Sequence, residues 1–323
     1  MAAFLIEPLT AAGLLITLAC PARCRHCYVS SGPDRPEWMA LEDAQSHLAA
    51  LARLGVPAAG IHIGGGEPFL DFDRLLAVVR AAGGIGYVET NGFWATDAAA
   101  IRRRLEALAA AGMMQLSISA DPYHQEFVPP GRVHLLYETA REVLGPGGVR
   151  VRRWKWAQDP KDVAAMPEEE RQALFADFLR RYPERMSGRA AEELAPLADR
   201  RPIEEIASED CRAAILGSRH VHIDPDGWVY PGTCAGIVLG RATRDTPLDT
   251  LLQDLRVEAE TALARLVESG PAGLLDAARR SGFHADPRGY AGKCHLCWTV
   301  RQHLVRAGAA GNVFHPASLY LTS

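Results

Sequence analysis

The chain has 323 residues, 48% hydrophobic and 23% charged, enough apolar material for one large soluble domain or two ordinary ones. Its 35 basic and 39 acidic residues leave a formal charge of −4, which argues against a nucleic-acid partner and against a polybasic membrane anchor. The apolar run 11–20 is too short to span a bilayer, and Glu7 without any Lys or Arg stands before it, so it is not read as a signal peptide and the expected location is cytoplasmic.

In chain order, 14–18 reads as a buried strand running into a loop with three cysteines. Residues 41–54 carry apolar side chains at helical spacing. A short strand at 61–63 ends at Gly64-Gly65-Gly66-Glu67-Pro68, and Asp71 is placed to cap a helix over 72–82. The strand 86–90 ends at Asn91, and Thr96 or Asp97 caps an Ala-rich helix to about Ala111. A fourth strand, 114–119, ends at Asp121-Pro122; a helix over 133–143 and a fifth strand over 149–154 follow. The stretch 158–209 is charged and weakly patterned, with a helix at 168–181 and a short sixth strand near 185–187. Residues 220–230 read as a β-hairpin turning at Asp226-Gly227; helices are expected over 248–268 and 273–281, and an amphipathic segment opens at Cys294.

Alternation of short strands and helices predicts an α/β fold built on a parallel sheet with right-handed crossovers. The cysteine loop, the glycine loop, Asn91 and Asp121 all follow strand C-termini, the edge where parallel α/β folds bind ligands. Seven cysteines are an odd number for a disulfide framework, and they group as Cys20, Cys24, Cys27 and as Cys211, Cys234, Cys294, Cys297. Soft thiolates in such groups suit iron–sulfur clusters or zinc. Three thiolates in eight residues can hold a four-iron cluster and leave one iron open, whereas zinc prefers four ligands in pairs.

The cysteine spacing after a first strand resembles the radical S-adenosylmethionine (radical SAM) enzymes. Gly65, Gly66, Glu67 and Pro68 match that family's Gly-Gly-Glu-Pro element, which holds the methionine ammonium of SAM. Asn91, Ser119 and Asp121 stand where the family contacts SAM, and Arg150 or Arg152, with Arg152 carried as the candidate, would pair its carboxylate. His26 occupies the usual aromatic position before the third cysteine. The resemblance covers roughly 14–154. It implies a partial parallel (β/α)6 TIM-like barrel, a SAM-binding [4Fe-4S] cluster on Cys20, Cys24 and Cys27, and a flavodoxin- or ferredoxin-type electron donor. In that chemistry the open iron binds SAM, whose reductive cleavage yields a 5′-deoxyadenosyl radical that abstracts hydrogen from a substrate.

Cys211, Gly227, Cys234 and the Cys294-x2-Cys297 pair resemble the superfamily's auxiliary-cluster extensions, in the shortened twitch form of SPASM. The expected organisation is therefore a barrel over 1–205 and a small α+β auxiliary-cluster domain over 206–323, holding a second [4Fe-4S] cluster. Six residues separate Gly227 from Cys234 where four are usual, and a four-cysteine zinc site is the alternative. With all seven cysteines ligating, none is left to quench a substrate radical, which disfavours epimerisation and favours oxidation or cross-linking. Tyr123 and His124, after Asp121, are the candidate catalytic residues; His62 reads as a strand histidine, Trp154 and Trp156 as core or cavity lining, and Arg189 as a possible site residue. Two substrate classes are expected: a ribosomally made peptide, or a small metabolite such as an aminosugar or amino acid. The first strand begins too early for an N-terminal leader-binding domain, so a separate leader-binding protein would serve a peptide. A non-catalytic iron–sulfur scaffold is the non-enzyme alternative.

Overall fold

The computed structural model describes residues 4–159, 161–207, 209–253, 256–257 and 261–321. Six parallel strands form most of one eight-stranded sheet: β1 (Ala11–Thr17), β2 (Ile61–Gly65), β3 (Ile85–Thr90), β4 (Met113–Ser119), β5 (Val149–Arg152) and β6 (His220–Ile223). Two antiparallel strands, β7 (Trp228–Pro231) and β8 (Gly240–Arg241), complete it. The order is β5-β4-β3-β2-β1-β6-β7-β8, and the sheet does not close. This is the expected mixed α/β, partial-barrel architecture.

Helices α1 (Leu41–Arg53), α2 (Phe72–Ala82), α3 (Ala98–Ala110) and α4 (Pro130–Leu144) are the crossovers. Their starts follow local chemistry. The Asp71 side chain accepts from the Arg74 backbone amide, and Asp97, rather than Thr96, accepts from Ala100. Each helix turns an apolar stripe inward, as Leu75, Leu76, Val78 and Val79 do on α2. The residues of β1 from Ala12 to Thr17 are buried, as expected for the central strand of a parallel sheet.

Two expectations are corrected. Residues 185–187 form no strand. The sixth parallel strand is β6, and it pairs with β1, not with β5, so the first half of the expected hairpin enters the main sheet. Three residues of poor β character could not compete with the alternating His220–Ile223 run for a place beside a buried strand. The single helix over 248–268 is instead two, Leu248–Gln253 and Ala262–Ser269, with Arg256–Val257 pairing antiparallel with Phe4–Leu5 between them. Residues 254–255 and 258–260 of that expected helix lie outside the described residues.

The charged stretch after β5 caps the cysteine loop. Helix α5 (Glu168–Arg181) buries Phe175, Phe178 and Leu179 against Tyr123, in an apolar group that also takes in Cys20 and Cys24. Burial of such side chains contributes about 1.5–3 kcal/mol each. Helix α6 (Lys293–Arg306) opens on the last cysteine pair and buries Leu296, Trp298, Val300 and Leu304. No helix among the described residues is long and apolar enough to cross a membrane.

Candidate active site

The glycine loop and the cysteine loop are joined backbone to backbone. Gly66 N donates to Thr17 O at 2.7 Å, and Glu67 N donates to Ala19 O at 2.9 Å. The approach demands glycine: a Cβ on Gly66 would stand 2.1 Å from Ala19 O and one on Gly65, at φ +121°, 2.3 Å from Thr17 O. Cys20 is thereby fixed beside the end of β2.

A cavity of about 590 Å³ opens at this edge of the sheet. Cys20, Cys24 and Cys27 line it together with Gly65, Gly66 and Asn91. Ser119, His124 and Arg152 also face it, as do Arg150, Arg153, Glu184, Arg185 and Arg189. The structure therefore brings most of the expected residues to one space. Glu67, Asp121 and Tyr123 are close by but do not line its wall.

Those three are engaged inside the protein. Glu67 is fully buried; its Oε1 accepts from Phe69 N (3.1 Å) and Thr90 Oγ1 (2.9 Å), and its Oε2 from Asn91 N (2.7 Å). Burial pushes its carboxyl up to about 7, against the pull of these donors. Its work is to hold the end of β3, so that Asn91 Nδ2 comes within 3.6 Å of Cys20 Sγ. Asp121 caps the turn Pro122–Gln125 and bonds His124 Nδ1 at 2.8 Å, with His26 Nε2 at 3.6 Å. Burial opposes its ionisation, but the neighbouring His124 and His26 outweigh that and keep the carboxyl low. Tyr123 is fully buried between His26, Phe175 and Phe178, and its hydroxyl has no hydrogen-bond partner among the described residues.

The cysteine loop is held from outside as well. Arg25 forms a two-pronged pair with Glu126, at 3.2 and 3.0 Å. Arg189 is buried; its Nε donates to Cys24 O at 3.0 Å, its Nη2 to Ser31 O, and its amide to Cys27 O at 3.1 Å. Arg189 was weakly legible in sequence. Arg153, Glu184 and Arg185 were not: they come from the poorly patterned stretch, and no spacing rule connects them to the strand ends. Arg152 is half exposed, with Glu89 at 3.9 Å.

The three thiols fit an iron–sulfur cluster. They are free and share one cavity, and Ser31 N donates to Cys27 Sγ at 3.3 Å. Burial, then Glu67, pushes the Cys20 thiol up to about 12, and burial lifts Cys24 well above its ordinary value, so bound metal must supply the charge that stabilises the thiolates.

Cys211, Cys234, Cys294 and Cys297 are also free and line a second, smaller cavity with Arg185, Lys293 and Arg301. Arg185 Nη1 donates to Cys234 Sγ at 3.1 Å. Burial first, then neighbouring thiols, raises Cys211 to about 12. Burial raises Cys294 to about 11, opposed by Arg185.

Residues 14–148 match the model of the radical SAM superfamily. A GTP 3′,8-cyclase of Stenotrophomonas maltophilia (strain R551-3) is 34% identical over 119 residues, 35% of this chain and 34% of that protein. The putative peptide biosynthesis protein YydG of Bacillus subtilis (strain 168) is 26% identical over 126 residues, 38% of this chain and 39% of that protein. The matched stretch thus spans little more than a third of the length of these curated relatives. Among solved structures, BtrN in complex with AdoMet and 2-DOIA aligns with a TM-score of 0.48 at 13% identity, over 83% of this chain and 90% of that one. The superfamily's cofactors are a [4Fe-4S] cluster and SAM. The stretch that matches the radical SAM superfamily, residues 14–148, is the one whose strand ends carry the cysteine and glycine loops.

Proposed function

We propose that the chain is a radical SAM oxidoreductase that oxidises or cross-links a peptide, with the first cluster on Cys20, Cys24 and Cys27 and an auxiliary [4Fe-4S] cluster on the other four cysteines. The observation that carries it is the convergence of the first three thiols, the Gly65–Gly66 edge, Asn91 and Ser119 on one cavity, with a second cavity of four thiols beside it. When bound, the first cluster and SAM supply a 5′-deoxyadenosyl radical able to take hydrogen from carbon.

The chain's own residues position and shield. Gly65 and Gly66 line the cavity where an ammonium group would be held, Arg152 offers a carboxylate a half-exposed guanidinium whose ion-pair partner among the described residues is Glu89 at 3.9 Å, and Asn91 donates toward the cluster side. His124, held by Asp121, lines the wall and is placed to move a proton. Arg25, Glu126 and the α5 aromatics close the outer side of the cysteine loop against water.

For the second site, sulfur spacing supports a cluster over a single zinc ion. Among the described residues no three of the cysteine sulfurs lie mutually within 4.8 Å. A tetrahedral zinc, about 2.3 Å from each sulfur, would hold them about 3.8 Å apart. With every thiol engaged, none remains to quench a radical, which suits a net oxidation.

The peptide reading draws support from the likeness to YydG, described as a putative peptide biosynthesis protein. A second reading, dehydrogenation of a small metabolite, is favoured by the cavity. Its volume of about 590 Å³ is in the range of single small-molecule sites, so a peptide would insert one side chain only. An electron donor of the flavodoxin or ferredoxin type, and a leader-binding protein for a peptide, are the partners this reading requires. The test is anaerobic reconstitution with reductant and SAM. We expect about eight irons per chain, falling to about four in Cys294→Ala/Cys297→Ala, and 5′-deoxyadenosine that disappears in Cys24→Ala. Iron without 5′-deoxyadenosine, with peptide and metabolite candidates present, would support a scaffold. Four irons plus one zinc would remove the auxiliary cluster.

A further inference from the structure

Three imidazoles meet on the wall of the main cavity, with the His222 ring 5.9 Å from that of Tyr28, the residue after Cys27. His62 on β2 and His222 on β6 are both in register with Gly13 of β1, and His220 pairs with Ala11. Gly13 lies four residues before Thr17, about 13 Å along the strand. All three histidines line the cavity, and each has a ring nitrogen within 4.8 Å of the others'.

The first strand is built to let them meet. A Cβ at Gly13 would fall 2.4 Å from His62 Nε2 and 2.5 Å from His222 Cδ2. Glycine is needed there for space, since the position lies between two rings from the flanking strands. Further contacts orient the rings. His222 Nδ1 donates to Gly232 O at 2.5 Å, which leaves Nε2 with its lone pair. His62 stacks on Tyr87, centroids 4.7 Å apart and planes 5° apart. His220 Nε2 is buried with no hydrogen-bond partner among the described residues, a cost that an unused core histidine would not be expected to carry. Arg150, a cation that acts on His62, is occupied by the Tyr87 ring at 4.9 Å and by Ser117 Oγ at 3.1 Å. Burial also lowers the proton affinity of all three rings, His222 to about 4, so at neutral pH they are neutral ligands.

We propose that His62, His220 and His222 form a binding site for one divalent transition-metal ion of the zinc type, with its open coordination position facing the cavity. Three neutral imidazoles and one open position are the ligand set of catalytic zinc. The nitrogens would need to close to about 3.3 Å, the separation set by zinc–nitrogen bonds of about 2.0–2.1 Å. Such an ion would sit on the cavity wall and could bind a substrate oxygen or nitrogen there. The site does not depend on the radical chemistry proposed above.

The test uses the iron-reconstituted protein, equilibrated with zinc sulfate and then freed of loose metal. Zinc is counted, and its K-edge X-ray absorption identifies the first shell. We expect about one zinc per chain with a nitrogen- and oxygen-only shell. His62→Gln and His220→Gln should each weaken zinc binding by more than the roughly 100-fold that loss of a supporting partner costs. A sulfur-containing shell, no retained zinc in the wild type, or unchanged zinc affinity in both variants would overturn the proposal. If either variant folds poorly by circular dichroism, the wild-type shell decides alone.

Discussion

Gly66→Ala should separate the two loops on which the site depends. The added Cβ would lie 2.1 Å from Ala19 O, 2.7 Å from Ala19 C and 2.9 Å from Leu18 C. All three are backbone atoms, so no side chain can rotate to relieve the contact; the loops must part by roughly 1 Å to reach a tolerable separation. Parting breaks the bonds from Gly66 N to Thr17 O and from Glu67 N to Ala19 O. Each buried amide left unpaired costs about 1–3 kcal/mol, so the expected loss is about 3–5 kcal/mol. Urea unfolding of the cluster-free chain measures it, with iron retained after reconstitution as the functional readout. Gly131→Ala is the control. That glycine is in α4, and a Cβ there would meet nothing within 4 Å, so alanine should stabilise by about 0.5–1 kcal/mol. A Gly66→Ala chain within about 1 kcal/mol of wild type, with iron retained in full, would refute the argument that close approach dictates this glycine.

Two further perturbations read other parts of the frame. Asp224 is buried in the hairpin, with Oδ1 accepting from Asp226 N and Trp228 N and Oδ2 from the Tyr230 hydroxyl. Burial raises its carboxyl to about 6. The folded chain therefore keeps a proton that the unfolded chain releases, and this contribution to stability is lost as pH rises from about 3.8 to about 6, by about 3 kcal/mol. The stability difference between wild type and Asp224→Asn should change across that window; parallel curves would contradict it. Arg189→Lys keeps the charge but replaces the planar fork, whose Nε and Nη2 reach Cys24 O and Ser31 O, with a single nitrogen, so it should cost about 2–3 kcal/mol and loosen iron binding. A lysine variant that melts and holds iron like the wild type would show that charge alone suffices.

The strand-end features were legible because each rests on local chemistry. The Cys20–Cys27 spacing, the glycines after β2, and the caps at Asp71 and Asp97 are visible in a few adjacent residues. Glu67 was legible as a residue but not as a strut: its partners Thr90 and Asn91 lie more than twenty residues away, and only the fold brings them together. The same holds for Arg185 and Arg189, which reach the cysteine loops from a stretch with no periodic signal. His62 looked like an ordinary strand histidine because its companions follow about 160 residues later, on a strand expected to belong elsewhere.

The pairing of β1 with β6 also orders the birth of the molecule. β1 is the first strand of the main sheet to leave the ribosome and β6 the last of the parallel set. At about 5–20 residues per second, the roughly 200 residues between them take about 10–40 s to synthesise. Through that interval one edge of β1 has no strand beside it, while β2 to β5 can already assemble on the other. Contacts of such long sequence separation form late, so the side of the cavity bounded by the histidine strand closes last. The cysteine loop, which follows β1 directly, is synthesised long before that closure.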